Sequence, residues 1–274
     1  ARPKRRFLKT LAILLGAYCV IDLFGVCRLR VQSYTISDAR IAGEIRLAVI
    51  SDLHSSRWGA HEERLLSALN EQSPDYVLLL GDIFHHNGGN EAALELLQTL
   101  GKEYKCYFIL GNHEYQTGDI AAVKRAIHNA DIPILDGKSV DLTVGEARVR
   151  LTGIDDGKGG KTRQREQLAI AGAERDDDVY SILAIHVPNK VESILPLGFD
   201  LMLSGHTHGG QIRIPGLLNC LYAPGQGFFP RYGGGRYDFG RQTLIIGRGL
   251  SKKPWWLPRI GNPPELVIVT LKGD

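Results

Sequence analysis

The chain of 274 residues carries 33 Lys plus Arg against 30 Asp plus Glu, a formal net charge of +3, and 43% hydrophobic residues. These are the proportions of a folded globular protein and exclude a disordered chain, a collagen-like fibre or a disulfide-stapled miniature. The charge is uneven, because residues 1–30 hold seven basic side chains and one acid, Asp22, which leaves a body of net −3. A mildly acidic body with a short basic tail does not fit a nucleic-acid binder, which gathers basic charge on a folded face.

The tail comes first. Arg2, Lys4, Arg5, Arg6 and Lys9 precede an apolar run from Leu11 to Cys27, interrupted by Asp22 and closed by Arg28. That run is at the short limit for spanning a bilayer, which needs roughly 17–25 residues. Three readings are open: a retained signal anchor, with the basic side in the cytoplasm and the body exported; a cleaved export signal, against which no small-x-small site follows the run; or a helix lying in the membrane interface or docked on its own body. Arg5-Arg6-Phe7-Leu8-Lys9 is similar to a twin-arginine export signal that lacks the usual spacer. The anchor leads. The expectation is a tail of residues 1–30 holding a membrane-associated, extracytoplasmic body of residues 31–274.

From residue 45 onward, short apolar runs alternate with helical patterns. Residues 46–52, 76–82 and 106–112 are nearly continuous in apolar residues, which predicts strands covered on both faces. Helical spacing recurs over 61–72 and 90–103, then near 119–130 and 164–173. Further strands are expected at 140–144, 147–154, 179–185, 200–204, 243–247 and 266–271, so the fold class is α/β in one large body. Residues 215–240, rich in Gly, Pro and aromatics, predict a long ordered loop. Cys106 and Cys220, the only cysteines of the body, stand in no metal or redox motif and are expected as buried thiols.

Polar groups of metal-binding type follow the apolar runs. Strand one ends in Asp52-Leu53-His54, strand two in Gly81-Asp82 and strand three in Gly111-Asn112-His113-Glu114. Later come His186, at the end of 179–185, and Gly205-His206-Thr207-His208. In an open α/β sheet the carboxyl ends of the strands face one crevice, so these groups can converge. Asp52 and His54, spaced by two, would project to one side of extended backbone and chelate one ion. Glycine before Asp82 and Asn112 lets the backbone turn closely around the site. Taken singly each element reads as a turn or cap residue; five together do not.

This ordered series, spanning about residues 46–213, resembles the calcineurin-like binuclear metallophosphoesterase superfamily. Gly209-Gly210-Gln211, Gly247-Arg248-Gly249-Leu250 and Asn262-Pro-Pro-Glu265 resemble more narrowly its bacterial membrane-associated or exported branch. The resemblance implies a four-layer sandwich of two mixed β-sheets flanked by helices, here with an N-terminal apolar helix. It implies two divalent metal ions, Mn first and Fe or Zn as alternatives. One would be held by Asp52, His54, Asp82 and His208, the other by Asp82, Asn112, His186 and His206, with Asp82 bridging. A hydroxide between the metals would attack phosphorus in line. His113 would serve the leaving oxygen as the catalytic residue, and Glu114 would orient it or a metal-bound His. Where many relatives place an acid after the Gly-Asp block, this chain has His85 and His86, which read first as solvated loop residues.

The implied reaction is metal-dependent hydrolysis of a phosphoester by a phosphodiesterase or phosphatase. Phe228-Phe229-Pro230, Tyr232 and Lys252-Lys253-Pro254-Trp255-Trp256-Leu257-Pro258-Arg259 suit a membrane surface. A lipid-linked pyrophosphate, as in a UDP-2,3-diacylglucosamine pyrophosphatase, is therefore one alternative substrate. A non-catalytic scaffold on the same fold is the other alternative, disfavoured because every ligand position is kept.

Overall fold

A computed structural model describes residues 28–188, 191–252 and 259–274, together with Gly16. The apolar tail of residues 11–27, and Trp255 and Trp256, lie outside the described residues. Among the described residues no helix is long and apolar enough to cross a membrane.

The strands are β1 (Arg30–Ser37), β2 (Glu44–Ile50), β3 (Tyr76–Leu80), β4 (Cys106–Ile109), β5 (Lys138–Val144), β6 (Ala147–Ile154), β7 (Tyr180–Ile185), β8 (Leu201–Ser204), β9 (Tyr222–Ala223), β10 (Gly227–Phe228), β11 (Gly235–Phe239), β12 (Gln242–Ile246) and β13 (Glu265–Lys272). Two mixed sheets result, ordered β1-β13-β2-β3-β4 and β11-β12-β8-β7-β6-β5, with β9 and β10 forming a separate hairpin. In the first sheet β2, β3 and β4 run parallel, and in the second β6, β7, β8 and β12 do. The helices are α1 (Glu63–Gln72), α2 (Glu91–Glu103), α3 (Asn112–Gln116), α4 (Ile120–His128), α5 (Lys161–Ala173) and α6 (Val191–Ile194).

Strand alternation sorts the apolar residues into three layers of core. Val77 and Leu79 of β3 pack outward with Leu65 and Leu69 of α1, Leu96, Leu97 and Leu100 of α2, and Val123 and Ile127 of α4. Tyr76, Leu78 and Leu80 of the same strand turn inward and meet Leu151, Ile182, Ala184 and Leu203 of the second sheet. On the far side Leu183, Ile185, Met202 and Leu244 pack on Ala171 of α5 and on Val191 and Ile194 of α6. The result is helices, sheet, sheet, helices. Strands covered on both faces explain the unbroken apolar runs of the sequence.

Four strands depart from expectation. β1 was not marked by its sequence, and β9, β10 and β11 lie inside the stretch expected to be loop. β9 and β10 are two residues each, and β1 and β11 have alternating or largely exposed side chains, so none of them carries a continuous apolar run. Cys106 and Cys220 are free, buried thiols, as expected.

Candidate metal centre

The parallel strands of both sheets end at one edge of the sandwich, and each candidate residue sits just beyond such an end. Asp52 and His54 follow β2, Asp82 follows β3, Asn112 and His113 follow β4, His186 follows β7, and His206 and His208 follow β8. The loops are bonded to one another. Asp52 N–H donates to Gly81 O (3.0 Å), His54 N–H to Asp82 O (2.9 Å), and Gly205 N–H to His186 O (2.9 Å). Across the sheets, His206 N–H reaches both Asp52 carboxylate oxygens, at 2.9 and 3.0 Å.

The local conformation differs from the expected one. Asp52 (φ 50°) and His54 (φ 45°) are not extended, so strand alternation does not bring them together. Asp82 (54°), His206 (69°) and His208 (51°) share the left-handed region. Five of the seven candidate metal residues thus occupy a conformation costing about 1–3 kcal/mol each for a non-glycine residue, which persists only where surroundings over-determine it. Tight left-handed turns aim the side chains back over the strand ends. Glycine supplies the space: a Cβ at Gly205 would lie 2.6 Å from Asp52 Oδ2, and one at Gly111 would collide with Asp82 Oδ1.

The side chains converge as two groups. Asp52, His54 and His208 offer ligand atoms within 4.8 Å of one another, and so do Asp82, His186 and His206. His54 Nε2 lies 3.1 Å from His208 Nε2, His208 Nε2 3.5 Å from Asp52 Oδ1, and His54 Nε2 3.7 Å from Asp82 Oδ2. His186 Nδ1 bonds to Leu80 O at 2.7 Å, an acceptor that puts the proton on Nδ1 and turns Nε2 inward. That Nε2 is 3.1 Å from Asp82 Oδ2 and 3.8 Å from Asp52 Oδ1. It faces Asp82 as an ion pair but outside hydrogen-bond geometry, and so remains without a hydrogen-bond partner.

These residues fit a pair of divalent cations. Buried polar atoms are normally satisfied, yet Asn112 Oδ1, His186 Nε2 and His208 Nδ1 are buried without partners, and two imidazole nitrogens face each other. Burial lowers the pKa of His54 well below its usual value, that of His206 to about 4 and that of His208 to about 3, where the charge of Arg259 adds to burial. All three stay neutral at pH 7, the form that binds metal. Burial raises Asp52 and would raise Asp82, but the charge of His186 outweighs it and holds Asp82 well below the carboxylate range. Burial would lower His186 in turn; the Asp82 carboxylate overrides it and pushes His186 up to about 10.

Several neighbours have roles the sequence did not reveal. Glu114, expected to orient a histidine, touches none. Its Oε1 accepts from Ile83 N (2.8 Å) and Phe84 N (3.1 Å), and its Oε2 from Asp82 N (2.9 Å) and Gly111 N (2.8 Å). This buried carboxylate holds the Asp82 turn by its amides, and burial, with the charge of Asp82, pushes its pKa up to about 7. His85 and His86, expected as solvated loop residues, lie in the loop after β3 and are half-buried: His86 Nδ1 is 2.9 Å from His113 Nδ1, and His85 stacks on His86. Arg259, expected at a membrane surface, is 2% exposed and donates to Arg248 O at 2.8 Å, while Asn262 Nδ2 donates to His208 O at 2.7 Å. Lys252 is exposed, its Nζ donating to Arg57 O at 2.8 Å and lying 3.9 Å over the Trp58 ring.

A family model described as calcineurin-like phosphoesterase matches residues 45–210. The chain is 30% identical over 251 residues to an uncharacterized metallophosphoesterase of Campylobacter jejuni, covering 89% of this chain and 63% of that protein. It is 28% identical over 274 residues to an uncharacterized metallophosphoesterase of Aquifex aeolicus, covering 96% of this chain and 98% of that protein. It is 25% identical over 283 residues to the phosphodiesterase YaeI of Escherichia coli, covering 98% of each. The chain belongs to the calcineurin-like phosphoesterase family of metal-dependent phosphoester hydrolases.

Two outcomes are expected. Because His186 keeps a proton up to about pH 10 and a metal at Nε2 must expel it, apparent Mn affinity should rise with pH by roughly tenfold per unit through the neutral range. Calorimetry at pH 6.5, 7.5 and 8.5 in buffers of different ionisation enthalpy should show the released proton; a flat affinity would contradict this ligand assignment. Glu114→Gln keeps the volume but sets an amide donor against backbone donors. It should cost about 2–4 kcal/mol in urea unfolding and lower bound metal, whereas unchanged stability would remove the turn-holding role.

Proposed function

We propose that this chain hydrolyses a phosphodiester carried by a lipid or presented at a membrane, with one divalent ion on Asp52, His54, Asp82 and His208 and a second on Asp82, Asn112, His186 and His206. The observation that supports this most is the pair of ligand clusters lying side by side at the strand ends, with Asp82 and His54 between them and His113 at the rim. Mixed carboxylate, amide and imidazole donors suit Mn first, with Fe or Zn also compatible. When bound, such ions polarise phosphoryl oxygens and lower the pKa of a water held between them. The name of the E. coli relative, a phosphodiesterase, favours a diester.

His113 is the proton donor in this reading. Its backbone N–H donates to Asp82 Oδ1 at 2.8 Å, and its Nε2 lies 3.9 Å from Asp82 Oδ2. The Nδ1···Nδ1 contact with His86 requires one ring to donate and the other to accept. With His86 donating, the His113 proton sits on Nε2, the nitrogen turned toward the reacting phosphate, and can pass to the leaving oxygen. His86 thereby acts as a positioning residue for the tautomer. The exposed apolar side chains that follow His208 in the chain favour a lipid-linked substrate, pyrophosphates included, and the apolar N-terminal run suits a membrane-held enzyme.

Hydrolysis of bis(p-nitrophenyl) phosphate and of an alkyl phosphodiester by the Mn-loaded protein tests the reading. His113→Ala should lower kcat by roughly 10²–10⁴-fold on the alkyl diester, whose leaving group needs the proton, and by much less on the nitrophenyl ester. His86→Ala should reproduce that pattern at smaller amplitude, with metal content unchanged. Equal losses on both substrates would remove the proton-donor role, and an inactive, metal-loaded wild type would overturn the function.

A further inference from the structure

Seven large apolar side chains are exposed among the described residues, and five of them fall between Ile214 and Phe229. Leu217 is 83% exposed, Phe228 70% and Phe229 69%. A soluble domain scatters exposed apolar residues singly; a cluster on one element marks an interaction surface. The element is ordered. Leu221 N–H donates to Ile212 O (3.0 Å), Phe229 N–H to Leu221 O (2.8 Å) and Leu217 N–H to Ile214 O (2.9 Å), and Tyr222 and Phe228 pair across the β9–β10 hairpin with rings 5.2 Å apart. These bonds set the apolar tips side by side. Tyr232, by contrast, is buried against Tyr237 and Phe239 and does not contribute.

The stretch that carries this element is basic in sequence: residues 209–264 contain eight Lys or Arg and one acid, Asp238. Arg248 and Arg259 are buried and Arg236 pairs with Asp238, but Arg231, two residues after Phe229, is exposed at the loop, where it meets Glu192. The chain also enters the body here. Arg30 N–H donates to Pro264 O at 2.9 Å, and Arg213 N–H donates to Ile260 O at 2.9 Å. Four residue steps separate Ile260 from Pro264, so these two contacts are at most about 14 Å apart. Arg30 therefore lies beside the root of the apolar loop, and the loop itself springs from the turn His208–Gly210 at the metal centre.

We propose that residues Ile214, Leu217, Tyr222, Phe228 and Phe229 sit in the interface of an anionic lipid bilayer, so that the mouth of the metal centre faces the membrane. Apolar tips enter the headgroup boundary while the exposed Arg231 guanidinium that follows them in the chain meets lipid phosphate. Nucleic acid would satisfy the basic charge but leaves five bare apolar side chains in water. Only the substrate arm of the inference rests on the phosphoester reading above; the docking arm stands on exposure and charge.

The test uses the full chain with Cys19 and Cys27 replaced by Ser, reconstituted with vesicles of phosphatidylethanolamine and phosphatidylglycerol. An environment-sensitive probe placed by Phe229→Cys should shift to the blue and be quenched by brominated acyl chains. The same probe placed by Ile170→Cys, on the exposed outer side of α5, should do neither. The triple variant Leu217→Ser, Phe228→Ser, Phe229→Ser should hydrolyse a lipid phosphodiester in those vesicles about tenfold more slowly or worse, with turnover of bis(p-nitrophenyl) phosphate unchanged. A probe at position 229 that stays in water on vesicles, or responds to single-stranded RNA instead, overturns the docking surface. A blue-shifted probe in a protein inactive on both substrates would support docking and overturn only the phosphoester reading.

Discussion

The Asp82 carboxylate joins the two halves of the molecule. It is 1% exposed, follows β3 of the first sheet, and faces His186 at the end of β7 in the second, 3.1 Å away. Its other oxygen accepts the backbone N–H of His113, and its own amide is held by Glu114. Asp52 and Glu114 bring two more carboxylates into the same buried volume. Burial of three acids together is unfavourable unless cations or protons offset them, and this explains why His186 is driven toward its charged form and Glu114 toward its neutral one. Divalent ions would replace those protons with fixed charge. Such ions would tie the two sheets together at their strand ends, adding to the apolar core between them, so metal should contribute to stability and not merely occupy a finished cleft.

Left-handed turns are the second half of the same constraint. Asp52, His54, Asp82, His206 and His208 would each relax if the loops were free. They are kept in place by main-chain bonds between the loops and, at Asp82, by the four amides gathered on Glu114. Local preference fails at the candidate metal residues, while the strands and helices around them obey it, the pattern of a functional site. The glycines at 111 and 205 have the same origin: each gives up a side chain so that a carboxylate can lie against backbone.

What was legible in the sequence follows from this division. Strands buried on both faces announce themselves as unbroken apolar runs, so β2, β3, β4 and the inner strands of the second sheet were visible; β1 and β11, with side chains open to solvent, were not. The ligand set was visible because each member stands directly after such a run. Its geometry was not: Asp52 and His54 do converge, but through left-handed backbone and not through strand alternation. Glu114 was misassigned because its partners are backbone amides, three of them some thirty residues earlier, and amides have no sequence signature. His86 and Arg259 were misplaced for a related reason, since loop residues reveal their neighbours only when the fold brings the loops together.

Charge shows how far the bulk figures mislead. A net of +3 describes neither part of the chain: outside the tail and residues 209–264, the remaining residues carry 18 basic and 28 acidic side chains. Arg248 and Arg259, buried beside the turn bearing His208, bring positive charge close to the strand ends, and Arg259 helps to keep that histidine neutral. Such fields raise the local concentration of an anionic substrate. They also bring a cost, because the same positive stretch opposes entry of the metal ions themselves. Asp52 and Asp82, buried and within reach of every ligand, are what reverse the sign at the centre of the cleft.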